Sequence, residues 1–410
     1  MPKESSSDAN RWCFEAITVE LDRRRFISLG FERIEALLAA LGNPERYLRV
    51  VQVVGTNGKG TTSVALSAAL EATGEATGTY LSPHVVSYAE RVRLRGEQVS
   101  EEAFAKGMGK AISVADGLGI EVTQFELLTA GALAMFREAG VTWAVLEAGL
   151  GARYDATTAA KPEAVVLTNV SLDHTEYLGN SVREIATEKL ASVPENGVLI
   201  LGTDNQEVAG LARSRCMELS ARLVEASDKA PAASGYFESN VRLGLRAAGE
   251  LTGKRIPQKS VTYIPEQVSG SLPGRFEVRT VGDTRVILDG GHNVEGLRAT
   301  LERVRREYPA SRIGVVFGVL RDKDIAGMLE LLGGAEISLF LTRPDDERAA
   351  EPWSVGLLGV GSRREVYVEP NVAEAVRRAV AVSGGVVLVT GSFVTVAGAR
   401  RFLDGCQGGV

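Results

Sequence analysis

Apolar positions along this chain follow two rhythms that alternate from the first third to the C-terminus. FERIEALLAAL, Phe31 to Leu41, is apolar at helical spacing and stops at Gly42-Asn43-Pro44, which predicts a helix. YLRVVQVVG, ending at Gly55, is almost unbroken apolar and rich in β-branched residues, which predicts a buried strand. TTSVALSAALEAT, Thr61 to Thr73, predicts a helix that ends at Gly74. The same alternation continues: EEAFAKGMGKAISVADGLG and FELLTAGALAMFREAG predict helices, WAVLEAGLG and EAVVLTNV strands, SVREIATEKLASV a helix and GVLILGT a strand. Strands separated by helices imply a mostly parallel sheet covered on both faces.

The rhythm is interrupted twice. The polar stretch from Ala226 to Gly235 reads as a connector before the predicted helix SNVRLGLRAAGELTG. VSGSLPGRFEV then supplies Gly and Pro at a domain boundary. Beyond it TRVILD, RIGVVFG, EISLFLT, REVYVE and GVVLVTG predict a second set of strands, most with helices between them. The expected architecture is α/β: an N-terminal domain with a mostly parallel sheet, and a smaller C-terminal Rossmann-like α/β domain. Residues 1–10 read as a loose tail.

Composition narrows the picture further. The 410 residues are 45% hydrophobic and 24% charged, which suits globular domains and argues against disorder. The net charge of −6 gives no reason to expect a nucleic-acid partner. Cys13, Cys216 and Cys406 are far apart and read as free thiols. No signal-peptide pattern and no long uncharged apolar run is present, so a cytoplasmic protein without a membrane partner is expected.

Candidate chemistry begins at VVGTNGKGTT, Val53 to Thr62, between a predicted strand and a predicted helix. The usual phosphate loop places Ser or Thr directly after Gly-Lys, whereas here Gly60 intervenes before Thr61. Backbone amides of Gly55, Thr56, Asn57, Gly58, Lys59, Gly60 and Thr61 at a helix start suit phosphate oxygens, with Lys59 as a point charge. The three histidines, His84, His174 and His292, all sit at strand ends, where ligands bind in open α/β sheets. Glu147 and Asp173-His174 suit Mg²⁺ beside nucleotide phosphates, although a buried Glu–His pair fits their spacing equally. Lys189 alone reads as a solvated helix lysine. Arg275 near the boundary and Asp289 at a strand end could serve a nucleotide, although Asp289-Gly290-Gly291 also suits a plain tight turn.

Taken together and in order, these runs resemble the folylpolyglutamate synthase/dihydrofolate synthase family, a branch of the Mur-type ATP-dependent amide ligases. The resemblance rests on GTNGKGT (55–61), LSPH (81–84) with Glu90-Arg91, TQFE (123–126), LEAGLGARYDATT (146–158), LDHT (172–175) and IATEKL (185–190). It continues through PGR (273–275), DGGHN (289–293), GVLRDKD (318–324) and GSF (391–393). It implies an ATP-binding domain over 1–272 and a glutamate-ligase domain over 273–410. It also implies that ATP activates a folate or dihydropteroate carboxylate as an acyl phosphate, which the amine of L-glutamate attacks.

By position, the resemblance implies Mg²⁺ ligands at Ser82, Glu147 and His174, and a carbamylated Lys189 that helps hold a second Mg²⁺. It places Asn240, Arg275 and Asp289 at the nucleotide and His292 near the reacting groups. Thr123, Phe125, Arg153 and Asp155 fall where the pterin-bearing substrate is expected. Lys59, His174, Lys189 and His292 thus carry the catalytic expectations, with small-molecule substrates and a monomeric state. The chain departs from the family pattern at Ala152, at Thr158 and at Leu190-Ala191-Ser192, and its segment between about Val224 and Asn240 is short. The alternative is a cell-wall ligase acting on a UDP-muramoyl substrate, but only 54 residues precede Gly55 and its loop would lack Gly60.

Overall fold

The computed structural model describes residues 12–226, 235–309, 312–333, 336–359 and 365–407. The tail expected at 1–10 and most of the connector from Ala226 to Gly235 lie outside the described residues. The chain divides into two units, Met1–Val170 with Leu178–Val268, and Ser171–Tyr177 with Ser269–Val410.

The first unit is built on eight strands: β1 Arg49–Val54, β2 Thr77–Tyr80, β3 Val92–Leu94, β4 Glu97–Gln98, β5 Trp143–Glu147, β6 Ala164–Leu167, β7 Val198–Leu201 and β8 Arg222–Glu225. Their spatial order is β4-β3-β2-β5-β1-β6-β7-β8. All pairs from β2 through to β8 are parallel, and β3 and β4 add an antiparallel edge. The short strands β2, β3, β4 and β8 carry too few apolar residues to be read from the sequence.

Every residue of β5 and β6 is buried, and in β1 all but Arg49, which explains the near-continuous apolar runs. Gln52 is the polar intruder in β1. Its amide donates to the hydroxyls of Thr157 and Thr158 at 2.7 and 2.8 Å. β1 is also where the chain changes sides: β2 and β5 lie on one side of it, β6 to β8 on the other. The carboxyl end of such a strand opens on a crevice suited to ligands.

The helix Lys59–Ala72 that follows β1 is buried from Gly60 through Leu70. Its small residues let the helix Tyr236–Thr252 approach closely. A Cβ on Gly244 would stand 2.7 Å from the backbone nitrogen of Leu66 and 2.9 Å from the carbonyl of Thr62.

The second unit carries a six-stranded sheet of β9 Glu277–Val281, β10 Thr284–Leu288, β11 Ile313–Phe317, β12 Ile337–Leu341, β13 Val366–Val368 and β14 Val386–Thr390. Its order is β13-β12-β11-β14-β10-β9, parallel except for the β9–β10 hairpin. Strands β11, β12 and β14 are buried throughout. The Rossmann-like α/β expectation therefore holds, with an antiparallel edge on each sheet.

Because Gly244 faces backbone rather than a yielding side chain, Gly244→Val is expected to lower unfolding stability by about 1–3 kcal/mol. Denaturant unfolding checks this. An unchanged midpoint would mean that the two helices separate freely.

Candidate active site

The loop from Gly55 to Gly58 joins β1 to the helix Lys59–Ala72 and has little freedom. Gly55 has φ of 148° and Gly58 of 79°. A Cβ on Gly55 would lie 1.9 Å from Thr168 Oγ1, and one on Gly58 would lie 2.4 Å from the amide of Asn240. Glycine is required at both positions by conformation and by space.

The loop is tied down by the residues just past β6. Thr168 Oγ1 donates to the Asn57 carbonyl at 2.7 Å, and Asn169 Nδ2 donates to the same oxygen at 3.1 Å. Asn169 Oδ1 accepts from Asn57 N at 3.0 Å, and the Asn169 carbonyl accepts from Thr56 N at 2.9 Å. Thr168 and Asn169 lie in the predicted strand EAVVLTNV, but nothing in their spacing marks them as clamps.

Two lysines converge on the loop. Lys59 Nζ donates to the carbonyls of Gly55 and Thr56, each at 3.2 Å. Lys189 Nζ, from the helix Val182–Leu190, donates to the Gly55 carbonyl at 3.0 Å. Lys189 is only 4% exposed, so it is not the solvated helix lysine that its local sequence suggests.

Glu147 ends β5, one strand from β1, and is buried. Its Oε2 accepts from Ser82 N at 2.9 Å, so the structure brings Ser82 and Glu147 together at the same end of the sheet. Their oxygen donors suit a hard cation such as Mg²⁺. Asn240 is buried in the helix Tyr236–Thr252, and its carbonyl accepts from Thr62 Oγ1 at 3.2 Å.

The residues expected around a pterin divide into frame and surface. Thr123 caps the helix Gln124–Glu138 in a reciprocal box: Glu126 N donates to Thr123 Oγ1 at 3.2 Å, and Thr123 N to Glu126 Oε2 at 2.7 Å. Glu126 also accepts from Arg33 through Nε and Nη2 at 3.2 and 2.9 Å. Phe125 packs over Gly149 and lies 5.7 Å from the Tyr80 ring.

Asp155 is buried, and its carboxylate accepts from Gly149 N, Leu150 N and Thr157 N at 2.8 to 3.0 Å. Burial pushes its carboxyl above the usual range although these donors oppose the shift. Its side chain organises the loop LEAGLGARYDATT from within. Arg153 is half-exposed and pairs with Glu188 at 3.0 Å.

In the second unit, Asp173 and His174 lie with the DGGHN turn. Asp173 Oδ2 accepts from Asn293 Nδ2 at 2.9 Å and lies 3.2 Å from His292 Nε2; its Oδ1 accepts from Lys323 Nζ at 2.9 Å. The Asp173 and Lys323 side chains are 6% and 7% exposed. Burial alone would raise the Asp173 carboxyl, but the hydrogen bond and charge of His292, with His174 and Lys323, hold it far below the usual carboxylate range. His292 Nδ1 lies 3.0 Å from the Gly290 carbonyl, so an oxygen faces each ring nitrogen.

Ligand atoms of Asp173, His174 and His292 lie within 4.8 Å of one another. Lys323 already neutralises the Asp173 carboxylate, and this pair is the buried centre of the cluster; the His174 side chain is exposed, so its ring is not tied up in that pair. Lys323 sits in GVLRDKD, but only the folded chain joins it to Asp173.

Asp289 accepts from Phe276 N, Gly291 N and Thr300 Oγ1 at 2.9, 3.0 and 2.7 Å, and burial raises its carboxyl. The Arg275 guanidinium lies 4.7 Å from the centre of the Phe393 ring.

Removing Asp173 would leave the buried Lys323 ammonium with only the partly exposed Asp322 carboxylate, 3.4 Å away. Asp173→Ala is expected to cost about 3–5 kcal/mol, seen as a large fall in the melting temperature of purified protein. A loss below about 1 kcal/mol would show that Lys323 finds other partners.

Comparisons with known proteins identify the chain's family and fold. The "Mur ligase middle domain" family matches residues 53–279, and "Mur ligase, glutamate ligase domain" matches 274–393. The chain is 33% identical to the dihydrofolate synthase/folylpolyglutamate synthase of Escherichia coli, covering 93% of each protein. It is also 33% identical to a probable bifunctional folylpolyglutamate synthase/dihydropteroate synthase of Haloferax volcanii. There the match covers 94% of this chain and spans half of the relative's length.

Among solved structures, E. coli FolC in complex with DHPP and ADP superposes with a TM-score of 0.83 at 29% identity, covering 97% of this chain and 99% of that one. The Yersinia pestis bifunctional folylpolyglutamate synthase/dihydrofolate synthase complexed with AMPPNP and Mn gives 0.81 at 28% identity, with the same coverage.

Proposed function

The chain belongs to the folylpolyglutamate synthase/dihydrofolate synthase family of Mur-type ligases, and on that premise we propose how its own residues perform ATP-dependent glutamate ligation. The enzyme joins L-glutamate to a folate or dihydropteroate carboxylate with ATP and a divalent metal ion. The observation that carries this reading is the clamped Gly55–Gly58 loop at the end of β1, with the Ser82–Glu147 pair at the end of the neighbouring strands.

Carboxylates are poor electrophiles, and an acyl phosphate divides one hard displacement into two easier ones. Positioning and charge neutralisation then supply most of the catalysis. The loop amides from Gly55 to Thr61 are assigned to the ATP phosphates, and Lys59 to the charge that develops as the terminal phosphoryl group transfers. Asn240, Arg275 and Asp289 are assigned to the nucleotide. Ser82, Glu147 and His174 are assigned to Mg²⁺, which when bound neutralises phosphate charge.

Thr123, Phe125, Arg153 and Asp155 are assigned to the pterin-bearing substrate. For Asp155 the internal hydrogen bonds favour a role in shaping that pocket. His292 is assigned to the reacting groups, positioned by Asp173.

Lys189 is assigned as a carbamate that helps hold a second Mg²⁺. Its amine and that of Lys59 both reach the Gly55 carbonyl, which places two like charges close together in a buried setting. A carbamate replaces one of those cations with an anion and an oxygen ligand. A monomeric protein acting on small molecules remains our expectation, and no helix among the described residues is long and apolar enough to cross a membrane.

Purified protein with Mg-ATP and L-glutamate is expected to release ADP only when dihydropteroate or a reduced folate is added. Lys59→Ala is expected to lower that turnover by at least about a hundredfold without loss of folded structure by circular dichroism. ADP release that ignores both acceptors would sink the assignment.

A further inference from the structure

The first unit holds a group of polar side chains that the assignments above do not use. Arg91 ends the short turn Tyr88–Arg91 and leads into β3. Its carbonyl accepts from Leu81 N at 2.8 Å, which fixes it beside the residue preceding Ser82. Arg91 is 7% exposed, and a guanidinium this deeply buried ordinarily meets a carboxylate. Among the described residues no carboxylate lies within ion-pair distance of it, and its guanidinium lies 5.8 Å from the centre of the Tyr88 ring. The adjacent Glu90 does not serve, because its carboxylate accepts from the amides of Val85, Val86 and Ser87.

The polar side chains beside Arg91 are His84 and Tyr80, and each has an N–H or O–H to offer. Arg91 Nε donates to His84 Nδ1 at 2.9 Å, so His84 carries its proton on Nε2 and presents an N–H. The hydroxyl of Tyr80, a fully buried side chain, lies beside Thr129 and Arg91 and makes no well-formed hydrogen bond to either. The Arg91 charge acts on that hydroxyl, and burial outweighs it in pushing the phenol up to about 12. The Tyr80 ring also touches Phe125, one of the residues assigned to the pterin-bearing substrate. A buried cation with no carboxylate in reach, flanked by N–H and O–H groups, is complementary to an anion with several acceptor lone pairs.

We propose that Arg91, with His84 and Tyr80, is the subsite that receives a carboxylate of the acceptor substrate. This rests on the ligase reading and deepens it. Dihydropteroate has a single carboxylate, the reacting one. A folate that already carries glutamate has a further, non-reacting α-carboxylate. The subsite therefore bears on which acceptor the enzyme prefers.

The test measures KM and kcat of wild type, Arg91→Gln and Arg91→Lys with dihydropteroate and with tetrahydrofolate. Arg91→Gln is expected to raise KM for an acceptor about tenfold or more with the KM for ATP unchanged, and Arg91→Lys to recover part of the loss. A rise with tetrahydrofolate alone assigns the subsite to the α-carboxylate, and a rise with both acceptors assigns it to the reacting one. Unchanged KM for both overturns the proposal. So does an equal loss for every substrate that follows a fall in melting temperature in both variants.

Calorimetric titration with 4-aminobenzoyl-glutamate reads the subsite without turnover. Binding to wild type that Arg91→Gln abolishes supports the proposal even if neither acceptor is turned over, in which case only the ligase reading fails. Equal or absent binding in wild type and variant overturns it.

Discussion

Fixing the phosphate loop against the end of β6 is the constraint on which the rest of the first unit depends. Gly55 passes so close to Thr168 that no side chain fits. Thr168 and Asn169 then hold Asn57 by its carbonyl and its amide. A loop of this kind must present its N–H groups outward, which costs backbone freedom that the loop alone cannot recover. Here the neighbouring strand end supplies the missing bonds. The buried, small-residue helix behind the loop and the helix Tyr236–Thr252 packed on it brace the other side.

The same constraint organises charge. The Gly55 carbonyl draws in both Lys59 and Lys189, so the loop sits over a concentration of positive charge. Ser82 and Glu147 supply oxygens at the end of the adjacent strands. In the second unit the polarity is handled differently. Asp173 is a buried anion saturated by Lys323, His292 and Asn293, so it orients other groups rather than offering itself to a ligand. Arg91 is the converse, a buried cation with no carboxylate within ion-pair distance among the described residues. The contrast separates residues that hold the site's shape from residues prepared for a ligand.

Several acidic residues that a motif would label as binding groups are engaged in building loops. Glu126 locks the start of its helix and grips Arg33. Asp155 gathers backbone amides of its own loop, and Asp289 takes one amide from its own turn and one from Phe276. A carboxylate at a strand end can serve a ligand or stabilise the turn that follows, and sequence spacing is the same in either case.

The sequence by itself determined the α/β class, the strong strands β1, β5, β6, β10, β11, β12 and β14, and the phosphate loop with its odd Gly60. Those features follow from local periodicity and from runs of contiguous residues. It also carried the ordered motifs that place the chain in its family. Tertiary structure alone decided that Lys189 is buried beneath Gly55, that Asn169 clamps the loop, that Lys323 meets Asp173 across 150 positions of chain, and that Arg91 has no carboxylate within ion-pair distance among the described residues. The weak strands β2, β3, β4 and β8 were hidden for the same reason: they are short, and their neighbours rather than their own residues hold them in the sheet. Local pattern records what a segment can become. The partner of a buried charge depends on which distant segment folds against it, and one sequence read along its length carries no signal of that distance.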